Sequence, residues 1–108
     1  MLVQTLFALF LRQKMYQVYI LKSLNDLRTY AGYTKDVAVR LEDHNTGKVK
    51  ATKKRLPFEI VYIENTKTLK FAKQRELYWK SGAGRRKLKH FFRVGFPPIK
   101  DGRGSPKF

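Results

Sequence analysis

The sequence predicts an α/β domain, a small three-stranded antiparallel sheet flanked by helices. Two β-prone runs, "YQVYILK" (16–22) and "LRTYAGYT" (27–34), are separated by the turn residues "SLND", a hairpin pattern. A third apolar run, "FEIVYIEN" (58–65), follows Pro57. Between and after these runs lie segments whose apolar residues recur at helical spacing.

In the first strand Tyr16, Val18 and Ile20 alternate with Gln17, Tyr19 and Leu21, the two-residue period of a sheet. A turn centred near Leu24 and Asn25 sets Tyr19 opposite Tyr30 on one sheet face. Thr34 is expected to cap the next helix, with Asp36 in its first turn, Val37 and Leu41 buried, and "NTG" ending it at Gly47. Arg40 and His44, four residues apart, then edge the buried stripe. "KVKATKKRLP" (48–57), with five basic residues in ten, reads as a loop or short helix placed for phosphates. The nearly continuous apolar character of 58–65 predicts a strand covered on both sides, in the middle of the sheet. In "TKTLKFAKQRELYWKSG" (66–82) Leu69, Ala72, Leu77 and Trp79 outline an apolar helix face, with Gly82 as its stop. Glu76 points from the middle of that face, where an ionised carboxylate is costly unless a cation meets it. "GRRKLKHFF" (84–92) predicts a short, very basic last helix.

A chain of 108 residues, 43% hydrophobic and 14% aromatic, is sized for one domain with a real core. Its 24 Lys plus Arg against 8 Asp plus Glu give a formal net charge of +16, which points to a polyanionic partner. Nucleic acid fits best, because the basic residues are interleaved with Tyr, Phe and Trp instead of gathered on one amphipathic helix. No cysteine is present, which excludes disulfides and thiolate metal sites, and two histidines are too few for a structural zinc centre. Any metal must be held mainly by oxygen. The apolar run in "MLVQTLFALFLRQK" is too short to span a bilayer and lacks the marks of a signal peptide. Met15 opens "MYQVYILKS" as a domain would at its own initiator, so residues 1–14 read as an extension, 15–92 as the domain and 93–108 as a flexible basic tail. A cytoplasmic location without a membrane partner is the matching expectation.

The polar residues expected at the sheet surface are Tyr19, Tyr30, Arg40, His44 and Glu76. They comprise a metal-capable carboxylate, a phosphate-binding guanidinium and three proton carriers, a set suited to phosphodiester hydrolysis. One carboxylate suffices for Mg²⁺ when waters and a substrate phosphate complete the octahedron. Plainer readings stand beside this one: strand tyrosines with solvated hydroxyls, a solvated Arg40, His44 against helix-end carbonyls, and Glu76 paired with Lys73 or Lys80.

"VYIL" (18–21), "TYAGYT" (29–34), "VRLEDHNTGKVKATKKRLPFEIVY" (39–62) and "AKQRELYWKSGAGRRKL" (72–88) together resemble a GIY-YIG endonuclease. The likeness is to the small stand-alone kind, similar to the N-terminal nuclease domain of the incision protein of bacterial excision repair. It implies that Tyr19 and Tyr30 are the two motif tyrosines, Arg40 the phosphate-binding arginine, His44 an auxiliary acid/base and Glu76 the ligand of Mg²⁺ or Mn²⁺. Gln17 and Ala31 depart from the motif without removing chemistry, and Tyr33 stands where several relatives carry Lys or His. In this reading Tyr19 activates water, its phenolate favoured by Arg40 and metal, while Tyr30 contacts water or phosphate, the two roles being exchangeable. The implied function is metal-dependent DNA cleavage, in repair or recombination, by water attack without a covalent intermediate. Lys48, Lys50, Lys53, Lys54, Arg55, Lys80, Arg85, Arg86 and Lys87 are then expected to hold the DNA backbone without reading sequence. Two alternatives are a catalytically silent nucleic-acid-binding module and an interaction domain within a larger repair complex.

Overall fold

The computed structural model of the chain describes residues 15–98. The expected extension, 1–14, and the end of the expected tail, from 99, lie outside the described residues. The elements are β1 (Tyr16–Ser23), β2 (Thr29–Thr34), α1 (Val37–Asn45), β3 (Phe58–Thr66), α2 (Leu69–Lys80) and α3 (Gly82–Val94). The three strands form one antiparallel sheet in the order β2-β1-β3, the expected architecture. Among the described residues no helix is long and apolar enough to cross a membrane.

β1, not β3, takes the central place. Four consecutive β1 residues, Val18 to Leu21, are at most 1% exposed, as a strand covered on both faces and both edges must be. β3 is an edge strand whose apolar run is buried by what packs on its faces: Tyr62 under Trp79 and Phe91, Phe58 and Ile60 beside Leu21. The alternation of β1 sends Val18 and Ile20 to one layer, with Ala31, Tyr62, Ala72, Trp79 and Leu88 beneath α2 and α3. Tyr19 and Leu21 go to the other, with Phe58, Tyr30, and Val37 and Leu41 of α1.

In the β1–β2 hairpin Tyr19 pairs with Gly32 and Leu21 with Tyr30, two residues from the Tyr19–Tyr30 register expected. The turn is longer because it is built by side chains: Ser23 Oγ accepts from Asn25 N and Asp26 N, Asp26 Oδ1 accepts from Arg28 N, and Leu27 takes φ 61°. A slip of two keeps every side chain on its face, so the two tyrosines still share one. Gly32 is required there: a Cβ would stand 2.5 Å from the Tyr19 hydroxyl.

Asp36, not Thr34, caps α1, accepting from Ala38 N and Val39 N, while Thr34 Oγ1 accepts from Asp36 N one step earlier. The first helical N–H, on Val37, is taken by Gln17 Oε1 at 3.0 Å, so the motif departure at Gln17 ties β1 to the start of α1. Gly47, at φ 78°, follows the helix end as expected. On α2 only Ala72 and Trp79 are fully buried; Leu69 and Leu77, placed on its apolar face from the sequence, are 39% and 65% exposed. Leu77 lies five residues from Ala72, about 140° round the helix, which takes it off the stripe. Gly82 opens α3 instead of merely stopping α2, because Ser81 both ends one helix and caps the next through Gly84 N. Gly84 has no room for a Cβ against the Tyr78 carbonyl, so the helices cross closely. α3 reaches Val94, beyond the short helix expected, and Phe96 packs back on Phe91 and Tyr62.

Candidate active site

The layer facing α1 brings the five residues singled out from the sequence together. The Tyr19 hydroxyl lies 3.0 Å from His44 Nε2, both side chains being buried. Tyr30 stands beside them, its ring centroid 6.4 Å from that of Tyr19 and 5.0 Å from that of His44. β1 and β2 supply the tyrosines through their shared register; the last turn of α1 supplies His44. Arg40, one turn earlier, is near enough to pull the Tyr19 hydroxyl down against its burial and is 39% exposed, with Asp43 a loose partner at 4.0 Å. Glu76 comes from α2 and is near enough to act electrostatically on Tyr19. It is 21% exposed and meets Lys80 Nζ at 3.6 Å, so the ion pair on its own helix and a place at the site coexist. Lys80 Nζ also lies 5.7 Å from the Tyr30 ring centre and so joins the two.

Burial pushes the Tyr19 hydroxyl up to about 12, and Tyr30 and Glu76 add to the rise; Arg40 works against it without winning. Arg40 favours the phenolate, as expected, but burial outweighs it. His44 is shifted the other way, below its ordinary value, by burial first and by Arg40 second, with Asp43 opposing. Its ring is therefore neutral at pH 7.

Two buried polar side chains, Thr52 beside the site and Glu64 on the other sheet face, were missed from the sequence, and Asn45, expected to ease the turn into Gly47, has a further role. Thr52, fully buried, places Oγ1 2.7 Å from His44 Nδ1, so both ring nitrogens are engaged. A threonine inside a basic run has neither periodicity nor composition to mark it. Asn45 donates Nδ2–H to Phe58 O at 3.1 Å and accepts Phe58 N–H at 2.7 Å, pinning the end of α1 to the start of β3. Glu64 is the fully buried carboxylate of this fold, not Glu76: it accepts from Arg75 Nε and Nη2 at 3.0 and 2.7 Å and from Trp79 Nε1 at 3.1 Å. A charged residue inside an apolar strand was its signal, by the argument applied to Glu76.

Of the basic residues, Lys48, Lys50, Lys53 and Lys54 are exposed on the loop after α1, and Lys80, Arg85, Arg86 and Lys87 are exposed on α2 and α3. Arg55 is committed elsewhere: its Nε meets Asp26 Oδ2 at 2.7 Å, closing the loop onto the hairpin turn. Among the described residues no three His, Cys, Asp or Glu side chains are grouped as a metal site.

The family described as the GIY-YIG catalytic domain matches residues 15–89. A UPF0213 protein of Staphylococcus epidermidis is 47% identical over 73 residues, covering 67% of this chain and 88% of that protein. UPF0213 protein YazA of Bacillus subtilis is 43% identical over 63 residues, 57% of this chain and 63% of that one. The solution NMR structure of UPF0213 protein BH0048 from Bacillus halodurans is 33% identical, with a TM-score of 0.47 over 77% of this chain and 88% of that one.

Proposed function

The chain belongs to the GIY-YIG family, and from that membership we propose that it is a divalent-metal-dependent DNA endonuclease whose site is the Tyr19, Tyr30, Arg40, His44 and Glu76 cluster. The observation that carries the reading is the buried chain from Tyr19 through His44 to Thr52, opening beside a guanidinium and a carboxylate. A structural tyrosine would need neither neighbour.

The shifts support one route for the proton. With its hydroxyl near 12, Tyr19 does not wait as a phenolate; it takes the proton of the attacking water only while passing its own to His44 Nε2. That direction follows if Arg40 donates to the Tyr19 oxygen, His44 donates Nδ1–H to Thr52 Oγ1, and Thr52 donates onward to Val49 O, 3.5 Å away. The water oxygen bonds to phosphorus as the bond to the 3′ oxygen breaks, that oxygen takes a proton from solvent, His44 later returns its proton to solvent, and the Arg40 fork neutralises charge on the phosphoryl oxygens. Tyr30, more exposed than Tyr19, contacts the phosphate or the water. Glu76 is the ligand for Mg²⁺ or Mn²⁺, which would supply charge neutralisation at the phosphate with waters completing its shell; a hard cation held by one partly exposed carboxylate fits that donor set. Lys80 must then release Glu76, and its other neighbour, the Tyr30 ring, keeps it beside the substrate. Repair or recombination is the setting proposed for such cutting.

Purified protein incubated with branched, nicked and plain duplex DNA, in Mg²⁺ and in chelator, tests the reading. Cleavage in Mg²⁺ alone is expected. Binding without cleavage of any of the three, in either Mg²⁺ or Mn²⁺, would instead favour the silent binding module.

A further inference from the structure

A cleft of about 780 Å³ opens at Tyr30 and runs away from the candidate site between the outer edge of β2, the hairpin turn and α3. Arg28, Lys80, Arg85 and Lys89 line it, while its one carboxylate, Asp26, is neutralised by Arg55. The lining is not only cationic. Leu27, 67% exposed, sits on one side at φ 61°, a backbone state that a leucine takes only at some strain, and Phe92, 45% exposed, is also part of the wall. Lys22 Nζ adds a further charge 5.7 Å from the Phe92 ring centre.

We infer that this cleft holds an unpaired strand of DNA continuous with the segment cut at the Tyr19 cluster, so that the preferred substrate is a duplex bearing a single-stranded extension. The inference rests on the nuclease reading for its placement, since Tyr30 and Lys80 belong to both cleft and site. Phosphates alone explain the cations but not the exposed leucine and phenylalanine. Along its length a duplex keeps its base faces stacked inside and offers such a wall only sugar and phosphate. An unpaired strand presents phosphates to Arg28, Arg85 and Lys89 and base faces to Phe92 and Leu27, the pairing of charge and apolar platform that unpaired nucleic acid needs. The size agrees, because clefts of roughly 300–1,000 Å³ enclose a small ligand, on the scale of a nucleotide, and not a double helix.

Fluorescence anisotropy in chelator, with labelled blunt duplex and the same duplex carrying a short 5′ or 3′ extension, reads the cleft without any cleavage. The full chain should bind one of the extended duplexes about tenfold more tightly than the blunt one. Leu27→Gly, which suits the positive φ, and Phe92→Ala should each reduce that preference while leaving blunt-duplex affinity in place. Thermal melts check that each variant is folded; should Phe92→Ala fail, Leu27→Gly carries the test alone. Equal affinity for blunt and both extended duplexes, or a preference that survives in the folded variants, overturns the inference. A protein that prefers the extension yet never cuts keeps the cleft and loses the nuclease; one that cuts in Mg²⁺ and binds all three equally keeps the nuclease and loses the cleft.

Discussion

His44 is fully buried, engaged at both ring nitrogens and held below its usual pKa, so its neutral form is tied to the folded state. The unfolded chain takes up a proton near the ordinary value of 6.5 while the folded chain resists; the stability this provides is complete above that pH and is lost as pH falls through the lowered folded value. Urea melts at about pH 7.5 and about pH 5.5 should show wild type losing stability on acidification and His44→Gln losing less, and equal losses in both would contradict the buried neutral ring. For Arg40, preorganised charge donation to a phosphoryl transition state is worth about 3–4 kcal/mol. Arg40→Ala should therefore lower turnover by about 10²–10³, and Arg40→Lys should recover only part because the fork is lost. Wild-type turnover in both variants returns Arg40 to an ordinary surface arginine. At this scale the sequence was readable where chemistry and spacing coincide, as in Arg40 and His44 sharing one side of α1, although His44 is fully buried instead of at the edge, and Val37 and Leu41 are only half-buried. It was silent on Thr52, whose contact depends on the basic loop folding under α1, and on the depth of Tyr19, because spacing shows that a tyrosine belongs to a motif but not how deeply it is buried.

Among the elements, α2 carries Glu76 to the site and Glu64 holds α2 to the sheet. Glu64, wholly buried on β3, receives Arg75 and Trp79, the residues that flank Glu76 along the helix. Removing one member of such a buried pair typically costs about 3–5 kcal/mol. Glu64→Ala should lose stability on that scale in urea melts and Glu64→Gln less, since the amide oxygen still accepts from Trp79; a loss below about 1 kcal/mol for Glu64→Ala would show that the helix is anchored by its apolar contacts instead. The strands and helices were readable from two- and four-residue periods and from turn chemistry. What was not readable was the order β2-β1-β3, because an apolar run reports burial without saying whether strands or helices supply it. The α2–α3 junction was lost for a similar reason: a Ser-Gly pair reads as an ending, and only packing shows that Ser81 serves both helices.

Across the whole molecule the net charge is +16, and the loop after α1 together with α2 and α3 carries 14 of the 24 Lys and Arg residues. If about four to six phosphates are neutralised, duplex affinity should fall with salt at a log–log slope of roughly −4 to −5 and vary little with sequence. Titrations at several salt concentrations check this, and a flat response removes the electrostatic groove. Composition made a polyanionic partner legible; that the hairpin turn and α3 share a cleft was not, because it depends on how the two pack. The central claim, that one carboxylate makes this basic domain a metal-dependent nuclease, is tested most directly by comparing wild type and Glu76→Gln for DNA cleavage in Mg²⁺ and in chelator, with binding measured in parallel. The substitution keeps the shape of a side chain that is 21% exposed and removes only its charge. The account predicts that Glu76→Gln folds and binds DNA but no longer cuts in Mg²⁺, and that wild type is silent in chelator. Cleavage by Glu76→Gln at the wild-type rate, or by wild type equally well in chelator, would contradict it.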